Sequence, residues 1–371
     1  MKVAHIVGKL KAAGVESVVF NYLRNMDLDG IETDVLYDAD STVSPPKDLA
    51  ARGVRFIEIP PYQKLNAYIK RIKQLCLENG YDIVHSHMNA LSGFPLFAAK
   101  RGGVKIRVAH NHSTSSKAEG KRDIAKRVLR PFARRYATSY AACSEKAGRW
   151  LFGDRKFDSG KVTLFNNAID LDKFSFDLAA RNDVRREYGL GEEFVLLHIG
   201  RFVTQKNTPF IIDIFKELKE YIPDAKLLLV GDGDLLDETE KKVKNYSLSD
   251  DVTFCGVVPD TERYYSAADA FVLPSLYEGL PVVALEAQAS GLPSYLSDEV
   301  TRECAVTGHV SFISLSVGAK EWARLIAARS YTDRQLTIGA MKDTAFDIKK
   351  TANDMRRYYF ELTDGSSRRI K

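Results

Sequence analysis

The sequence predicts an α/β protein made of two doubly wound, Rossmann-like domains that face each other across a cleft. Short apolar runs alternate with amphipathic helical patterns along the chain, which favours parallel strands covered by helices on both faces. These runs form two consecutive sets, and 371 residues suffice for two separate cores. A polar stretch near 170–192 joins the sets. We therefore expect one domain over 1–173 and a second over 174–350.

The first set contains seven predicted strands and the second contains five. In chain order, the first seven read KVAHIV, ETDVLY, RFIEI, DIVHSH, IRVAHN, SYAACS and KVTLFN. The other five read FVLLHIGR, AKLLLVGDG, VTFCGV, AFVLPS and PSYLS. In open sheets of this kind, ligands bind beyond the carboxyl ends of the strands, so the residues that follow each run are the candidates for function.

Composition and cysteine use are those of an ordinary globular protein, with 45% hydrophobic and 28% charged residues. No apolar run approaches the roughly 20 residues of a membrane span. The opening MKVAHIVGKL is too short and too polar at its flanks for a signal peptide, and reads as a buried strand. Four scattered cysteines without metal spacing predict free thiols in a reducing cytoplasm.

Positive charge is concentrated in the first half of the chain. Residues 1–173 hold 29 Lys and Arg against 18 Asp and Glu, and the excess peaks over 117–136. In that segment, apolar residues recur at helical spacing among the basic ones, which suits an anionic membrane surface. Binding of nucleic acid is disfavoured because no aromatic stacking pattern accompanies the charge. A solvated helix face remains an alternative.

The first turn, VGKLKAAGVESVV, places Gly14 before an amphipathic helix. Backbone N–H groups at a helix start can hold an anion, and glycine allows a ligand to approach the backbone closely. A purely structural turn is the alternative. The dinucleotide fingerprint G-x-G-x-x-G is absent, which counts against a nicotinamide enzyme.

Two cations follow the first strand of the second set, in HIGRFVTQKN. Arg201 comes directly after the strand and Lys206 five residues later, a placement that an intervening diphosphate would stabilise. Solvent-exposed cations are the alternative. In VGDGD, Asp232 and Asp234 read as turn residues and not as metal ligands. We therefore expect no obligatory metal.

A pair of glutamates brackets an apolar run in YEGLPVVALEAQASGLP. Pro281 suits the first position of a helix, so Glu278 would lie at its entrance and Glu286 inside it, roughly 12 Å away if the spacing is helical throughout. That span matches the reach from a nucleotide ribose across a diphosphate to an attached sugar, and a carboxylate can accept two hydrogen bonds from a diol. The N–H groups of Gly279 and Leu280 would face the phosphates. Taken singly, each acid could equally be a surface charge.

Histidines occur in pairs at two strand ends of the first set. His85 and His87 lie in DIVHSH, and His110 and His112 lie in RVAHNHS. The alternate spacing suggests a metal pair, but no Cys, His or acidic cluster in the sequence completes one. A hydrogen-bonding or acid–base role toward a sugar is favoured for His112, with His110 next. His5 and His198 read as core or strand residues.

The chain resembles the retaining nucleotide-sugar glycosyltransferases of the GT-B fold, family 4, and within them the transferases of bacterial capsule and exopolysaccharide assembly. The stretches that carry this resemblance are GRFVTQKN, LLLVGDGDL, VTFCGVVPD, DAFVLPSLYEGLPVVALEAQASGLP, RVAHNHS, AACSEKAGRWLFG and NNAIDLDKF. It implies that the first domain binds the acceptor and the second binds the nucleotide-sugar. It also implies that a C-terminal helix over 351–371 packs back on the first domain.

The resemblance further assigns roles within a metal-independent transfer. Arg201 and Lys206 would hold the donor diphosphate, Glu286 the ribose hydroxyls, and Glu278 the donor sugar. His112 would lie beside the reacting centre. The position of His110 and His87 at strand ends, independently of the resemblance, predicts that they line the acceptor side of the cleft. The implied reaction moves a sugar, with UDP as the expected carrier, to a saccharide or lipid-linked saccharide, in the cytoplasm or at the inner face of the membrane. No enzymic nucleophile and no cofactor are expected.

Two other functions fit the same motifs. A nucleotide-sugar epimerase of the same fold would use the same donor site, and rapid epimerisation of a UDP-sugar without an acceptor would identify it. A non-catalytic sugar-nucleotide-binding subunit would bind UDP tightly without transferring any sugar.

Overall fold

The computed structural model describes residues 1–11, 15–113, 121–328, 334 and 338–365, and only the backbone of 121–126. The chain divides into two compact units, one formed by Met1–Ala168 with Ile348–Lys371 and the other by Ile169–Asp347. The sequence placed this join at 173, five residues later. No helix in the described ranges has the length and apolar character needed to cross a membrane.

The first unit is built on a seven-stranded parallel sheet in the order β3-β2-β1-β4-β5-β6-β7. Its strands are β1 Lys2–Gly8, β2 Glu32–Asp38, β3 Arg55–Ile59, β4 Ile83–Ser86, β5 Ile106–Asn111, β6 Ser139–Ala142 and β7 Val162–Leu164. Its helices are α1 Val15–Asn25, α2 Lys47–Ala51, α3 Leu65–Asn79, α4 Gly93–Arg101, α5 Lys121–Tyr136, α6 Glu145–Phe152, α7 Asp154–Asp158 and, from the end of the chain, α14 Ile348–Thr363.

The last helix, α14, belongs to the first unit because its apolar residues lie on one face. Ile348, Ala352, Met355 and Tyr359 are three or four positions apart and are all buried in a cluster with Val3 of β1. The resemblance placed this helix at 351–371, whereas the structure has it over Ile348–Thr363. Because α14 packs against the first sheet, the side chain of Tyr359 is buried against the strands of that sheet.

The second unit is built on a six-stranded parallel sheet in the order β10-β9-β8-β11-β12-β13. Its strands are β8 Val195–Ile199, β9 Lys226–Val230, β10 Val252–Gly256, β11 Ala270–Leu273, β12 Ser294–Ser297 and β13 Val310–Ile313. Its helices are α8 Leu178–Glu187, α9 Thr208–Leu218, α10 Leu236–Asn245, α11 Thr261–Ala267, α12 Val282–Ala289 and α13 Gly318–Ala327.

The predicted fold class, two parallel α/β domains with doubly wound sheets, is confirmed. All twelve predicted strands form, and the described residues contain one further strand that was not predicted. The missing strand, β13, pairs with β12 at the sheet edge and only one of its four residues is buried. Its half-exposed residues lack the continuous apolar run that marks a central parallel strand, so periodicity alone gave no signal for it.

Candidate functional site

The loop after β11 carries Glu278, which forms a buried ion pair with Lys206. The Nζ atom of Lys206 lies 2.6 Å from the Oε1 atom of Glu278, and the two side chains are only 16% and 9% exposed. Ser275 also donates to Oε1 at 3.1 Å, and the Nε2 atom of Gln205 donates to Oε2 at 3.2 Å. The carboxylate is thus held by three donors from two loops.

The loop of Lys206 is tied to the Glu278 loop through backbone groups as well. The backbone N–H of Leu276 donates to the carbonyl of Gln205 at 2.8 Å, and the side chain of Gln205 donates to the carbonyl of Tyr277 at 3.0 Å. The side chain of Asn207 donates to the carbonyl of Pro274 at 3.2 Å. These contacts fix both loops at the carboxyl ends of β8 and β11, which are neighbours in the sheet.

Arg201, the other predicted cation, follows β8 on the same edge but is exposed. Within the described residues its guanidinium has neither a hydrogen bond nor an ion pair. A charged side chain that projects without a partner from a strand end is available to an anionic ligand. The structure therefore separates the two predicted cations, because Lys206 is neutralised by Glu278 while Arg201 is open.

Close backbone packing surrounds this edge. Gly231 has φ +136°, and a Cβ atom there would lie 2.0 Å from the carbonyl oxygen of Gly200. At Gly233, with φ +154°, a Cβ atom would lie 2.5 Å from the carbonyl oxygen of Phe202. The VGDGD stretch is accordingly a tight turn against the loop of Arg201. Asp232 accepts from the backbone N–H of Gly233 at 2.7 Å, which is turn chemistry and agrees with the prediction for this residue.

Glu286 lies on α12 in a site that favours its protonated form. Burial raises the pKa of Glu286 to about 7, while a hydrogen bond from Tyr265 and the charge of Lys173 oppose the shift. The Tyr265 hydroxyl group is 2.8 Å from Oε2 of Glu286. A solvated helix face, the alternative given for this residue, does not describe it.

Gly279 and Leu280 precede α12 in an open part of the loop. Gly279 is exposed, and a Cβ atom built on it would meet no heavy atom within 4 Å. Neither backbone N–H has a hydrogen-bond partner in the described part of the chain. Pro281 is the N-cap of α12 and not its first residue, so helical spacing begins at Val282. The 12 Å helical estimate for the two glutamates therefore does not apply to the Glu278 end.

His198 is a core residue of the second unit, in agreement with its sequence interpretation. It lies on β8 and is fully buried, and its Nδ1 atom is 3.0 Å from the carbonyl oxygen of Val272. Burial lowers its pKa to about 4.

Five histidines of the first unit come together on one side of its sheet. Parallel pairing sets His5 of β1 opposite His85 of β4, and α14 covers them with Tyr359. His87, His110 and His112 extend the group toward the strand ends. The sequence interpretation of His5 as a core or strand residue is confirmed, because it is buried on β1. Its place beside four other histidines was not predicted, because strand order cannot be read from a local pattern. His112 alone among the five is only partly buried.

Hydrogen bonds link these rings into two series. In the first, His112 Nε2 is 2.9 Å from His87 Nδ1, and His87 Nε2 is 3.1 Å from His5 Nδ1. In the second, His110 Nδ1 is 3.1 Å from His85 Nε2, and His85 Nδ1 is 2.6 Å from the hydroxyl group of Tyr359. We call these the His112 relay and the His110 relay.

Lowered pKa values favour the neutral form of all five rings near pH 7. Burial lowers the pKa of His5 to about 4 and that of His112 to about 3, with Asn167 opposing the second shift. Burial first, and then the neighbouring histidines, lower the pKa of His85, His87 and His110 well below the usual value.

A metal ion fits this cluster poorly, although nitrogen atoms of two sets of three lie within 4.8 Å of one another. The sets are His5, His85 and His87, and His87, His110 and His112. Each set contains a stacked pair, with ring centroids 4.2 Å apart for His85 and His87 and 4.0 Å apart for His110 and His112. Lone pairs lie in the ring plane, so those of stacked rings run side by side and do not converge on one ion. The sequence had predicted no complete set, because local pattern shows neither that β1 brings His5 to His85 and His87 nor that β4 and β5 bring His87 to His110 and His112.

The basic segment forms α5 over Lys121–Tyr136, and part of its apolar face packs inward. Phe132 contacts Phe94 with ring centroids 5.2 Å apart and abuts Gly93, and Ala133 is fully buried. Val128, by contrast, is 72% exposed. A membrane-facing surface would therefore be made of Val128 and the basic side chains around it, and not of Phe132.

Gly14 and residues 117–120 lie outside the described residues, as do the side chains of 121–126. Four supporting partners of the site were not predicted, namely Gln205, Ser275, Tyr265 and Tyr359. Gln205 and Ser275 lie within three residues of predicted site residues, so proximity in the sequence was a usable signal for them. Tyr265 and Tyr359 lie on distant helices, and nothing in the sequence connects them to Glu286 or His85.

Comparison with known proteins places the two halves of the chain with glycosyltransferases. The family model described as Glycosyltransferase Family 4 matches residues 12–173, and the one described as Glycosyl transferases group 1 matches 180–327. The protein EpsF of Bacillus subtilis (strain 168), a glycosyltransferase by name, is 34% identical over 90% of this chain and 88% of its own.

Two further relatives and one solved structure extend the comparison. The UDP-Gal:alpha-D-GlcNAc-diphosphoundecaprenol alpha-1,3-galactosyltransferase of Escherichia coli is 26% identical over 82% of this chain and 81% of its own. The capsular polysaccharide biosynthesis glycosyltransferase CapH of Staphylococcus aureus is 22% identical over 98% of this chain and 99% of its own. The crystal structure of Anabaena Alr3699/HepE in complex with UDP and glucose superposes with a TM-score of 0.77, at 19% identity over 98% of this chain and all of that one.

Proposed function

The chain belongs to the family 4 glycosyltransferases of the GT-B fold and is a hexosyltransferase, and on that premise we propose that it moves a hexose from a UDP-sugar to a lipid-linked saccharide with retention of the anomeric configuration. We propose that this step belongs to capsule or exopolysaccharide assembly. Three names support these details: the Escherichia coli relative is named for a UDP-sugar and a diphosphoundecaprenol acceptor, CapH for capsular polysaccharide, and the Anabaena structure for UDP and glucose.

The observation that carries the proposal is the edge of the second sheet where Arg201, Lys206 and Glu278 follow neighbouring strands. Breaking the anomeric C–O bond leaves negative charge on the departing diphosphate. The open guanidinium of Arg201, the ammonium of Lys206 and the unbonded N–H groups of Gly279 and Leu280 are suited to stabilise that charge. These donors would take the place of a divalent metal, so the reaction is proposed to be metal-independent.

Glu278 is proposed to position the sugar and not to attack it. Three donors already hold its carboxylate, which lowers its nucleophilicity while it remains a hydrogen-bond acceptor. Retention would then follow from attack of the acceptor hydroxyl on the face that the diphosphate leaves, with a phosphate oxygen as the base. Glu286 is proposed to accept hydrogen bonds from the ribose diol, and His112 to donate one to the reacting groups.

A cytoplasmic location with peripheral binding at the membrane follows from the proposed acceptor. A lipid-linked saccharide is confined to the bilayer surface, and the basic helix α5 offers attraction to anionic headgroups, each basic residue contributing about 1 kcal/mol near the surface. Exposed Val128 supplies one apolar contact.

The decisive experiment incubates the full chain with UDP-, GDP- and ADP-hexoses, with and without a diphosphoundecaprenol-linked saccharide. Product formation only with a UDP-hexose and the lipid-linked acceptor, unchanged by a chelator, is the expected result. The anomeric configuration of the product is read by NMR. Epimerisation of the donor without an acceptor would identify the epimerase alternative, and UDP binding without transfer to any acceptor would identify a binding subunit.

A further inference from the structure

The number of protons on neutral histidines limits how the rings of each relay can be protonated. A neutral imidazole carries one proton on its two nitrogens, and each ring-to-ring hydrogen bond requires one proton. The His112 relay has three rings and two such bonds, so a single proton remains for its two outer nitrogens, His112 Nδ1 and His5 Nε2. If one outer nitrogen is a donor, the other is bare.

Asn167 selects between these two states. His5 Nε2 and His112 Nδ1 are both buried, and neither has a hydrogen bond of normal geometry among the described residues. A side-chain oxygen of Asn167, which is also unsatisfied, lies beside His112. Because a buried N–H without an acceptor is rarer than a buried lone pair without a donor, the proton belongs on His112 Nδ1, next to that oxygen.

In the His110 relay, Tyr359 lies at the end opposite His110 and its hydroxyl group determines the tautomers of both rings. If the tyrosine hydroxyl donates to His85 Nδ1, then His85 Nε2 donates to His110 Nδ1 and the outer His110 Nε2 carries a proton. In the opposite orientation both the hydroxyl proton and His110 Nε2 lack a partner in the described chain. The first orientation leaves one buried group unsatisfied, the N–H at His110 Nε2, whereas the opposite one leaves two, the hydroxyl proton and the bare nitrogen. The first orientation is therefore favoured.

We propose that the two relays hold His112 and His110 as neutral N–H donors, at Nδ1 and Nε2 respectively, and that His5 and Tyr359 are positioning residues that select these tautomers. The use of these donors in sugar transfer rests on the proposed function, whereas the tautomer assignment does not. A neutral donor can bind a hydroxyl or phosphoryl oxygen without the desolvation that a buried imidazolium would require.

The test is long-range ¹H–¹⁵N NMR on the full chain labelled at histidine, near pH 7.5, with resonances assigned by single-histidine variants. The expected result is five neutral rings, with His112 protonated at Nδ1 and His110 at Nε2. Tyr359→Phe removes one hydroxyl group and should shift the tautomer ratio of His110 about fivefold, since one hydrogen bond is lost, while His112 changes little. His5→Phe should shift the tautomer ratio of His112 by a similar factor. His5→Asn restores a polar partner at that position and should reverse part of this shift.

Tyr358→Phe is the matched control, because Tyr358 is the residue before Tyr359 on α14 and its hydroxyl contacts Ser139 and Thr163 instead of a histidine. This variant should leave the resonances of all five histidines unchanged. A charged ring in the wild type, the opposite tautomers, or unchanged spectra in Tyr359→Phe would overturn the assignment. So would one equivalent of zinc in tag-free protein that shifts the cluster resonances, since the cluster would then be a metal centre.

Kinetics test the positioning role separately. With a donor and acceptor that support transfer, Tyr359→Phe should lower kcat severalfold with KM nearly unchanged, and Tyr358→Phe should not. A shifted tautomer with unchanged kcat would overturn the positioning role. If no donor supports transfer, the proposed function fails, and the spectra still decide the tautomer assignment.

Discussion

Lys206 Nζ lies 2.6 Å from Glu278 Oε1, so a cation and an acid expected to contact different parts of the nucleotide-sugar already form a mostly buried ion pair. Sequence reasoning explained the two cations after β8 by an anion between them. The structure supplies a protein carboxylate as the anion for Lys206 and leaves Arg201 open. A diphosphate must therefore share Lys206 with Glu278. Because of this competition, the effect of Glu278 on UDP binding can be measured separately from its effect on sugar transfer.

Glu278→Gln should strengthen the binding of UDP alone and weaken sugar transfer. Neutralising Glu278 frees the Lys206 ammonium for the diphosphate, so the Kd of UDP should fall severalfold. The value of kcat should drop about a hundredfold, because the sugar hydroxyls lose the carboxylate that accepts their hydrogen bonds. Calorimetry with UDP and steady-state kinetics measure the two effects. Asp213→Asn, which breaks the 2.6 Å Lys242–Asp213 pair elsewhere in the same unit, is the control. Weaker UDP binding in Glu278→Gln would show that the pair organises the diphosphate site and does not compete with it.

Arg201→Ala should lower kcat/KM about a hundredfold without destabilising the fold. The guanidinium is exposed and has no described partner, so its removal costs the folded state little, whereas the departing diphosphate loses a donor. Kinetics and thermal unfolding are measured together. Arg186→Ala, at a side chain that is 77% exposed on α8, should alter neither. Near wild-type turnover in Arg201→Ala would remove the proposed diphosphate site.

Binding of a UDP-sugar should tighten as the pH rises through about 7, because Glu286 ionises there. The protonated carboxyl below that pH has lost acceptor capacity for the ribose diol, and the carboxylate above it has regained it. Calorimetry between pH 6 and 8 gives the profile, and Glu286→Gln should flatten it. A pH profile that keeps its shape in Glu286→Gln would assign the effect to another group.

The same ionisation predicts a distinct stability profile. Because the folded-state pKa of Glu286 is raised, its contribution to stability is fully present below the unfolded value of about 4.5. It is lost as the pH rises toward about 7, at up to about 1.4 kcal/mol per pH unit. The free energy of unfolding of Glu286→Gln minus that of the wild type should rise from pH 5 to 7 and level off above 7. Urea unfolding at four pH values tests this, and a difference that is constant with pH would show that Glu286 titrates normally.

The sequence predicted those features that depend on local pattern. The sequence predicted that Arg201, Lys206 and Glu278 lie at one edge of the sheet, because each follows a strand and parallel strands align their carboxyl ends. In the structure, β8 and β11 are neighbours and bring these loops together. The sequence did not predict the partial burial of Glu286 against Tyr265 or the membership of His5 in a cluster. Both depend on what packs above them, Tyr265 of α11 and Tyr359 of α14, and such long-range contacts leave no periodic signal.

Charge reversal at Arg135 should weaken binding to anionic vesicles without altering donor binding. Arg135 and Val128 are exposed on α5, while Phe132 is committed to packing inside the unit. Arg135→Glu should therefore reduce partitioning at least about fivefold, given about 1 kcal/mol for each basic residue near the surface, and Val128→Asp should reduce it further by removing the apolar contact. Sedimentation with vesicles containing anionic lipid measures both variants, and high salt should suppress wild-type binding. Arg186→Glu on the second unit is the matched control, and equal loss in that variant, or binding that is independent of salt, would return α5 to an ordinary solvated helix.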